Sequence, residues 1–293
     1  MVVAGDSIKP FLRWAGGKSW LVTSGVQVCP NEYKVYREPF LGGAAVFLDE
    51  KPDRFVISDT NADLVCTYKA IRNRRRAFVE AFENLAKRHS KDFYYEVRAS
   101  SPSTSLERAA RFLYLNRTCF NGLYRVNRSG GFNVPIGDTK ATSLLCGDFL
   151  EISKLLRRGT VRHGDFEESI NEAKNGDFLF VDPPYTVKHN RNGFVEYNEK
   201  IFSWDDQLRL RNALQRAADR GVLATVTNAN HQSVLALYQG MGEIIEIERS
   251  SSIAGSVSSR GVTTEMFLRI GWNGSPIERT FTNAHSSFQE RLL

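Results

Sequence analysis

The apolar run Phe178-Leu179-Phe180-Val181, broken at once by Asp182-Pro183-Pro184-Tyr185, constrains the fold more than any other stretch of the chain. Four consecutive large apolar residues suit a strand covered on both faces. Two prolines then forbid further ladder hydrogen bonds or a helix interior. A strand buried on both sides needs helices above and below it, and the flanking sequence supplies that alternation. KVYREPF (34–40), RFVISD (54–59), GTVRHGDF (159–166), GVLATVTN (221–228), EIIEIER (243–249) and TTEMFLRIGW (263–272) read as strands, the last two as an antiparallel hairpin. LGGAAVFLDE (41–50) opens a helix, and Ser203 is a natural N-cap for a helix over 203–220. Strands alternating with helices predict an α/β sheet with crossover connections.

The stretch 62–150 breaks this rhythm. IRNRRRAFVEAFENLAKRHS (71–90) and SLERAARFLYLNR (105–117) are helical by period, with no strand nearby to pair with. NGLYRVNRSGGFNVPIG (121–137) reads as a hairpin turning at Ser129-Gly130-Gly131. We therefore expect 1–61 and 151–272 to form the sheet domain, 62–150 to be an inserted, mainly helical domain carrying the hairpin, and 273–293 to be a polar tail. Charge follows the same division. Between Lys69 and Arg128 stand 14 basic and 5 acidic residues, a local +9 in a chain of net charge +6, so the remainder carries −3. Interleaved with Phe and Tyr, such a block suits a polyanion-binding surface, although a solvated helix face has the same composition.

Length and composition exclude other classes. A chain of 293 residues, 42% hydrophobic and 25% charged, is neither collagen-like nor generally disordered. No run reaches the roughly 20 apolar residues of a membrane span, and the N-terminus lacks the apolar core of a signal peptide, so a soluble, cytoplasmic protein is expected. Cys29, Cys66, Cys119 and Cys146 are widely spaced, which speaks against disulfides or a zinc site.

The chemistry concentrates at three places. In an open α/β sheet ligands gather at the carboxyl ends of strands, where Asp182-Pro183-Pro184-Tyr185 falls. A carboxylate beside a carbonyl can accept both hydrogens of an exocyclic amino group, freeing its lone pair to attack a methyl donor. Tyr185 offers a face on which an extruded base can stack. An ordinary proline turn would give the same tetrapeptide without chemistry. The second place is Arg37-Glu38-Pro39-Phe40-Leu41-Gly42-Gly43-Ala44, a strand entering a glycine turn, with Asp59 at the end of the next strand able to accept from ribose hydroxyls. The third is Phe11-Leu12-Arg13-Trp14-Ala15-Gly16-Gly17-Lys18-Ser19. A phosphate loop is excluded, because its first glycine would fall where Leu12 stands and no strand precedes it. Lys18 beside Trp14 can instead meet a carboxylate and an adenine-like ring.

FLRWAGGK, REPFLGGAAVF, ISDTN, NGLYRVNRSGGFNVPIG, GDF (164–166) and DPPY, in this order, resemble the Dam-type DNA adenine N6-methyltransferases from about Pro10 to Trp272. The resemblance implies a Rossmann-like methyltransferase sheet with S-adenosylmethionine as methyl donor and no metal. Trp14, Lys18, Phe40, Gly42, Asp59 and Asp182 fall at cofactor-binding positions, with Asp165 and Phe166 bordering the cofactor adenine. Asp182, Pro183 and Tyr185 fall at catalytic positions, the methyl passing by direct displacement. One departure is Ala44, where the family commonly has glycine.

The same resemblance assigns contacts to double-stranded DNA. Arg125 matches the arginine that reads guanine through a bidentate fork, and Leu123 and Pro135 match apolar contacts to thymine methyls. Arg13 matches the contact to an outer guanine. Phe120 and Asn121 match positions that fill the gap left by the extruded adenine, and Arg117 and Asn127 complete the DNA-binding set. GATC is the favoured site. A monomer is expected, with a cognate restriction enzyme as a candidate partner and no membrane. Two alternatives stay open: methylation of cytosine N4 or of adenine in RNA, and a DNA-binding protein without catalysis. Cys119 and Cys146 lack the Pro-Cys context of a cytosine C5 mechanism.

Overall fold

The computed structural model describes residues 8–127, 130–138, 148–187, 202–250 and 262–275. Cys146, Ser129 of the hairpin turn and the tail beyond 275 lie outside them. The seven strands are β1 (Tyr36–Glu38), β2 (Phe55–Asp59), β3 (Thr160–His163), β4 (Phe178–Val181), β5 (Leu223–Ala229), β6 (Glu243–Ser250) and β7 (Val262–Ile270), and they form one sheet in the order β3-β2-β1-β4-β5-β7-β6. All pairings are parallel except those of β7 with β5 and β6. β1 and β4 are neighbours, and the chain winds outward from them in opposite directions. That is the switch point at which an open sheet leaves a crevice beyond its carboxyl ends.

β4 shows why the apolar run is continuous. Phe178 and Phe180 enter one hydrophobic cluster, Leu179 and Val181 the other, so each face of the strand meets a core. The first cluster lies against α2 (Ala45–Glu50), α3 (Ala62–Lys87), α5 (Ser105–Thr118) and α6 (Phe149–Leu156). The second is covered by α7 (Phe166–Asn171), α8 (Trp204–Asp219) and α9 (Gln232–Tyr238). Ser203 caps α8 as expected and closes a reciprocal box with Asp206, while Leu210, Ala213, Leu214 and Ala217 turn inward at helical spacing. A short helix α1 (Ser19–Val22) precedes β1, and α4 (Lys91–Ala99), capped by Ser90, stands where no element was expected.

Helix α3 starts earlier than its period suggested, because Asn61 accepts from the amides of Asp63 and Leu64. Its first turns pack into the same core as β1 and β2. It kinks at Arg74, after the Arg72 carbonyl, which accepts from Arg157 Nε at 3.1 Å and Ser153 Oγ at 3.5 Å. Among its described residues the hairpin segment forms no continuous ladder. Two isolated bridges, Cys119 to Ile136 and Val126 to Phe132, hold it, and Pro135 between them has no amide to donate. Cys29, Cys66 and Cys119 are buried and free. Among the described residues no helix is long and apolar enough to cross a membrane.

Candidate active site

Asp182 follows β4 directly, at the switch point. Its Oδ1 accepts from Lys18 Nζ at 2.8 Å and from Thr227 Oγ1 at 2.7 Å. Thr227 comes from β5, the next parallel strand, one residue beyond the pairing of Val181 with Val226. Among the described residues both bonds fall on Oδ1, and no donor reaches Oδ2 or the Pro183 carbonyl. The acceptor pair expected for an amino group is therefore open. Burial holds the Asp182 carboxyl above the usual carboxylate range, against the pull of the Lys18 ammonium and Thr227 hydroxyl.

Lys18 is almost fully buried. Its ammonium also donates to the Gly16 carbonyl at 2.9 Å, lies 3.5 Å from Glu265 Oε2 and sits 4.8 Å from the centre of the Tyr185 ring. The two short contacts of the ammonium are thus the Gly16 carbonyl and Asp182 Oδ1, so the charge turns inward onto Asp182. Glu265 was not singled out from the sequence. It reaches the site because β7 is antiparallel: Glu265 pairs with Ala229, level with the carboxyl end of β5. Its Oε2 accepts from the Tyr185 hydroxyl at 2.6 Å. Burial pushes the Tyr185 phenol well above its usual range, so the hydroxyl stays a donor. The only sequence signal was one acid in a strand otherwise made of threonines, apolar residues and Arg269.

Across the crevice, Asp59 ends β2 and fixes the glycine turn. Its Oδ2 accepts from Gly42 N at 3.0 Å and its Oδ1 from Asn61 N at 2.8 Å. Burial raises the Asp59 carboxyl while these amides pull it back. Gly42 has φ +46, and a Cβ there would lie 2.8 Å from the Trp14 indole, so the turn needs glycine on both counts. Ala44 stands at φ +57 as the N-cap residue of α2, a left-handed position where an alanine is strained. Behind this loop Glu38, buried and held well above its usual range by desolvation, accepts from the Tyr36 hydroxyl at 2.7 Å.

Phe40 and Phe166 stack with centroids 5.2 Å apart, and Phe202 packs edge-on against Phe40. Phe166 is 3% exposed, and Arg209 covers it at 4.9 Å, so Phe40 is the ring open to a ligand. Asp165 caps α7 through Glu167 N at 2.9 Å and pairs with Arg209 Nη2 at 2.9 Å.

The expected DNA contacts gather on a separate surface. Phe120 is 50% and Leu123 38% exposed, two neighbouring large apolar side chains left on the surface. Arg13, Asn121, Arg125, Asn127 and Pro135 are also exposed. Asn121 adopts φ +54, and Arg125 Nε donates to Asn133 Oδ1 across the hairpin at 2.8 Å. Asn127 Oδ1 accepts from Gly131 N, bracing the turn. Arg117 is half-buried and reaches the Phe11 carbonyl at 3.5 Å.

Asn116, which was not singled out, joins this surface to the crevice. Buried on α5, it accepts from Arg13 N at 2.9 Å and donates to the Arg13 carbonyl at 2.6 Å and the Gly122 carbonyl at 3.3 Å. Trp14, the next residue, stacks on Tyr124 at 5.9 Å while its indole covers Gly42. The basic block is only partly free: Arg72, Arg98 and Arg111 donate to backbone carbonyls of Leu156, Gly159, Val134, Val97 and Arg98. Lys69, Arg74, Arg76, Lys87 and Lys91 remain exposed.

A family model for the D12 class N6 adenine-specific DNA methyltransferases matches residues 14–253. The Type II methyltransferase M1.LlaDCHI of Lactococcus lactis subsp. cremoris is 34% identical over 89% of this chain and 95% of its own length. The Type II methyltransferase M.MjaIII of Methanocaldococcus jannaschii is 35% identical over 80% and 89%. A DNA adenine methylase of Vibrio cholerae serotype O1 is 28% identical over 88% and 94%.

Proposed function

The chain belongs to the D12 class N6 adenine-specific DNA methyltransferases, and from that premise we propose that it methylates N6 of an adenine swung out of double-stranded DNA into the crevice beside Asp182, within GATC, using S-adenosylmethionine. The observation that carries the reading is the acceptor pair: Asp182, with Lys18 and Thr227 on one oxygen, and beside it the Pro183 carbonyl, neither the second carboxylate oxygen nor this carbonyl meeting a donor among the described residues.

A nucleoside cofactor fits the opposite wall. Asp59 spends two lone-pair sites on Gly42 and Asn61 and keeps others for ribose hydroxyls. Phe40 offers a ring, and the glycine turn lies at the switch point. When bound, S-adenosylmethionine supplies an electrophilic methyl group. The chain's own residues supply position and charge. Asp182 and the Pro183 carbonyl accept the two N6 hydrogens, turning the nitrogen lone pair out of the ring plane. Lys18 and Thr227 fix the carboxylate in one rotamer. Tyr185 receives the base on its ring, and Asp182 is the nearest acceptor for the proton N6 loses after transfer. Catalysis is then positioning and electrostatics, with no covalent enzyme intermediate. Extruding the base costs a few kcal/mol, offset where Phe120 and Asn121 fill the vacated stack. Arg125, Arg13, Leu123 and Pro135 read the flanking bases, with Asn127 and Arg117 bracing this surface.

The residues 62–150 act as the recognition insert, a monomer suffices for one crevice and one reading surface, and a restriction enzyme sharing the site is the partner to look for. The test is methylation of two duplexes that differ only by containing GATC or its scramble GACT, read by nucleoside mass spectrometry. N6-methyladenine confined to the GATC duplex is expected. Equal methylation of both overturns the site, and N4-methylcytosine or RNA-only product overturns the substrate.

A further inference from the structure

Tyr185 is given a stacking role in the reading above, yet nothing in Asp-Pro-Pro-Tyr itself fixes where its ring stands. The sequence leaves the side chain a choice of staggered rotamers about its first torsion. The structure removes that freedom from a strand far away in the chain. Glu265, buried on β7 at the level of the β5 carboxyl end, accepts the Tyr185 hydroxyl at 2.6 Å, and Lys18 lies over the same ring at 4.8 Å. The distance from Glu265 to Lys18, 3.5 Å, is long beside the 2.8 Å of the Lys18 to Asp182 pair. A charge-assisted O–H to carboxylate bond of this length is among the stronger side-chain bonds. A buried carboxylate is also costly to keep unless it has a task that satisfies it.

We infer that Glu265 is a positioning residue for methyl transfer: it anchors the Tyr185 hydroxyl and so fixes where the ring stands for the extruded adenine to stack, without itself touching the base. The inference rests on the methyltransferase reading. Glu265 acts through Tyr185, so its loss slows the transfer step while leaving the binding of DNA and of S-adenosylmethionine in place. Misplacing a reacting group by about an ångström costs up to about a hundredfold.

The test is single-turnover methylation of a GATC duplex by Glu265→Leu, Glu265→Gln, Tyr185→Phe and the Glu265→Leu/Tyr185→Phe pair, each first checked for native circular dichroism. Glu265→Leu is expected to lose about 10- to 100-fold in transfer rate, with both ligand affinities within about twofold. Glu265→Gln keeps an acceptor for the hydroxyl and recovers to within about threefold. Tyr185→Phe breaks the same bond from the other end, and the double variant loses no more than the worse single one, because the two changes remove one interaction. Tyr185→Phe keeps the question open to refutation should Glu265→Leu fail to fold. A full rate in Glu265→Leu, a Gln variant as slow as Leu, or losses that multiply in the double variant each overturn the inference. If wild type itself forms no N6-methyladenine, the methyltransferase reading fails instead.

Discussion

Replacing Lys18 by Met keeps most of the buried stem and removes the charge that balances Asp182. Lys18 and Asp182 are 2.8 Å apart, with side-chain exposures of 3% and 19%. Removing one partner of a buried pair costs about 3 to 5 kcal/mol, because the other charge is left uncompensated. Here the Thr227 bond survives and a fifth of the Asp182 side chain meets solvent, which places the expected loss near the lower end, about 3 kcal/mol. Its pH dependence follows from linkage. The folded carboxyl of Asp182 already titrates above its unfolded value. The folded state thus binds the proton more tightly, and ionisation opposes folding at high pH. That opposition fades as pH falls through the folded value toward the unfolded one. Without Lys18 the folded value rises further, so the variant's deficit against wild type is widest near pH 8 and narrows toward pH 5. Urea denaturation of both proteins at the two pH values measures it. A deficit that is constant or grows on acidification refutes the pairing, as does equal stability at pH 8.

Three further outcomes follow from the geometry. Asn116→Leu removes the partner of the part-buried amide and carbonyl of Arg13 and is expected to cost about 1 to 3 kcal/mol in stability, with weaker DNA binding by fluorescence anisotropy; native stability would show that the Asn116 bonds are not structural. Gly42→Ala meets both the φ +46 strain, about 1 to 2 kcal/mol, and the Trp14 indole. Calorimetric titration with S-adenosylmethionine should show at least tenfold weaker binding, and unchanged affinity would separate this turn from the cofactor. Raising salt from 50 to 200 mM should weaken DNA binding by about a thousandfold if some six phosphates are contacted, with cofactor binding changing little; equal salt sensitivity of both ligands would contradict the placement of DNA on the basic surface.

How far the site could be read from sequence depended on how local each signal was. Short apolar and β-branched runs ending in polar residues or turns located all seven strands, and Asp182-Pro183 marked the crevice because the strand before it is apolar throughout. Glu265 stayed hidden because its place depends on β7 running antiparallel to β5, a long-range register that no local pattern encodes. Thr227 sat unmarked inside an ordinary β-branched strand. Asn116 bonds only to backbone groups of Arg13 and Gly122, which leave no trace in side-chain chemistry. The charge count over 69–128 gave the number of cations but not their direction, and Arg72, Arg98 and Arg111 turn out to clamp carbonyls. Trp14 and Lys18 were marked for the cofactor. Their positions show Trp14 joining Tyr124 to the glycine turn, and Lys18 as a counter-ion for Asp182.

The central claim is that the Asp182 carboxylate accepts the amino group that is methylated. Wild type and Asp182→Ala, matched for folding and for DNA affinity, should be compared in single-turnover reactions with a GATC duplex and S-adenosylmethionine, with N6-methyladenine quantified by nucleoside mass spectrometry. The account predicts product from wild type and a loss of at least about a thousandfold in the variant, the scale of removing a principal electrostatic contact. N6-methyladenine formed by Asp182→Ala at the wild-type rate would contradict it.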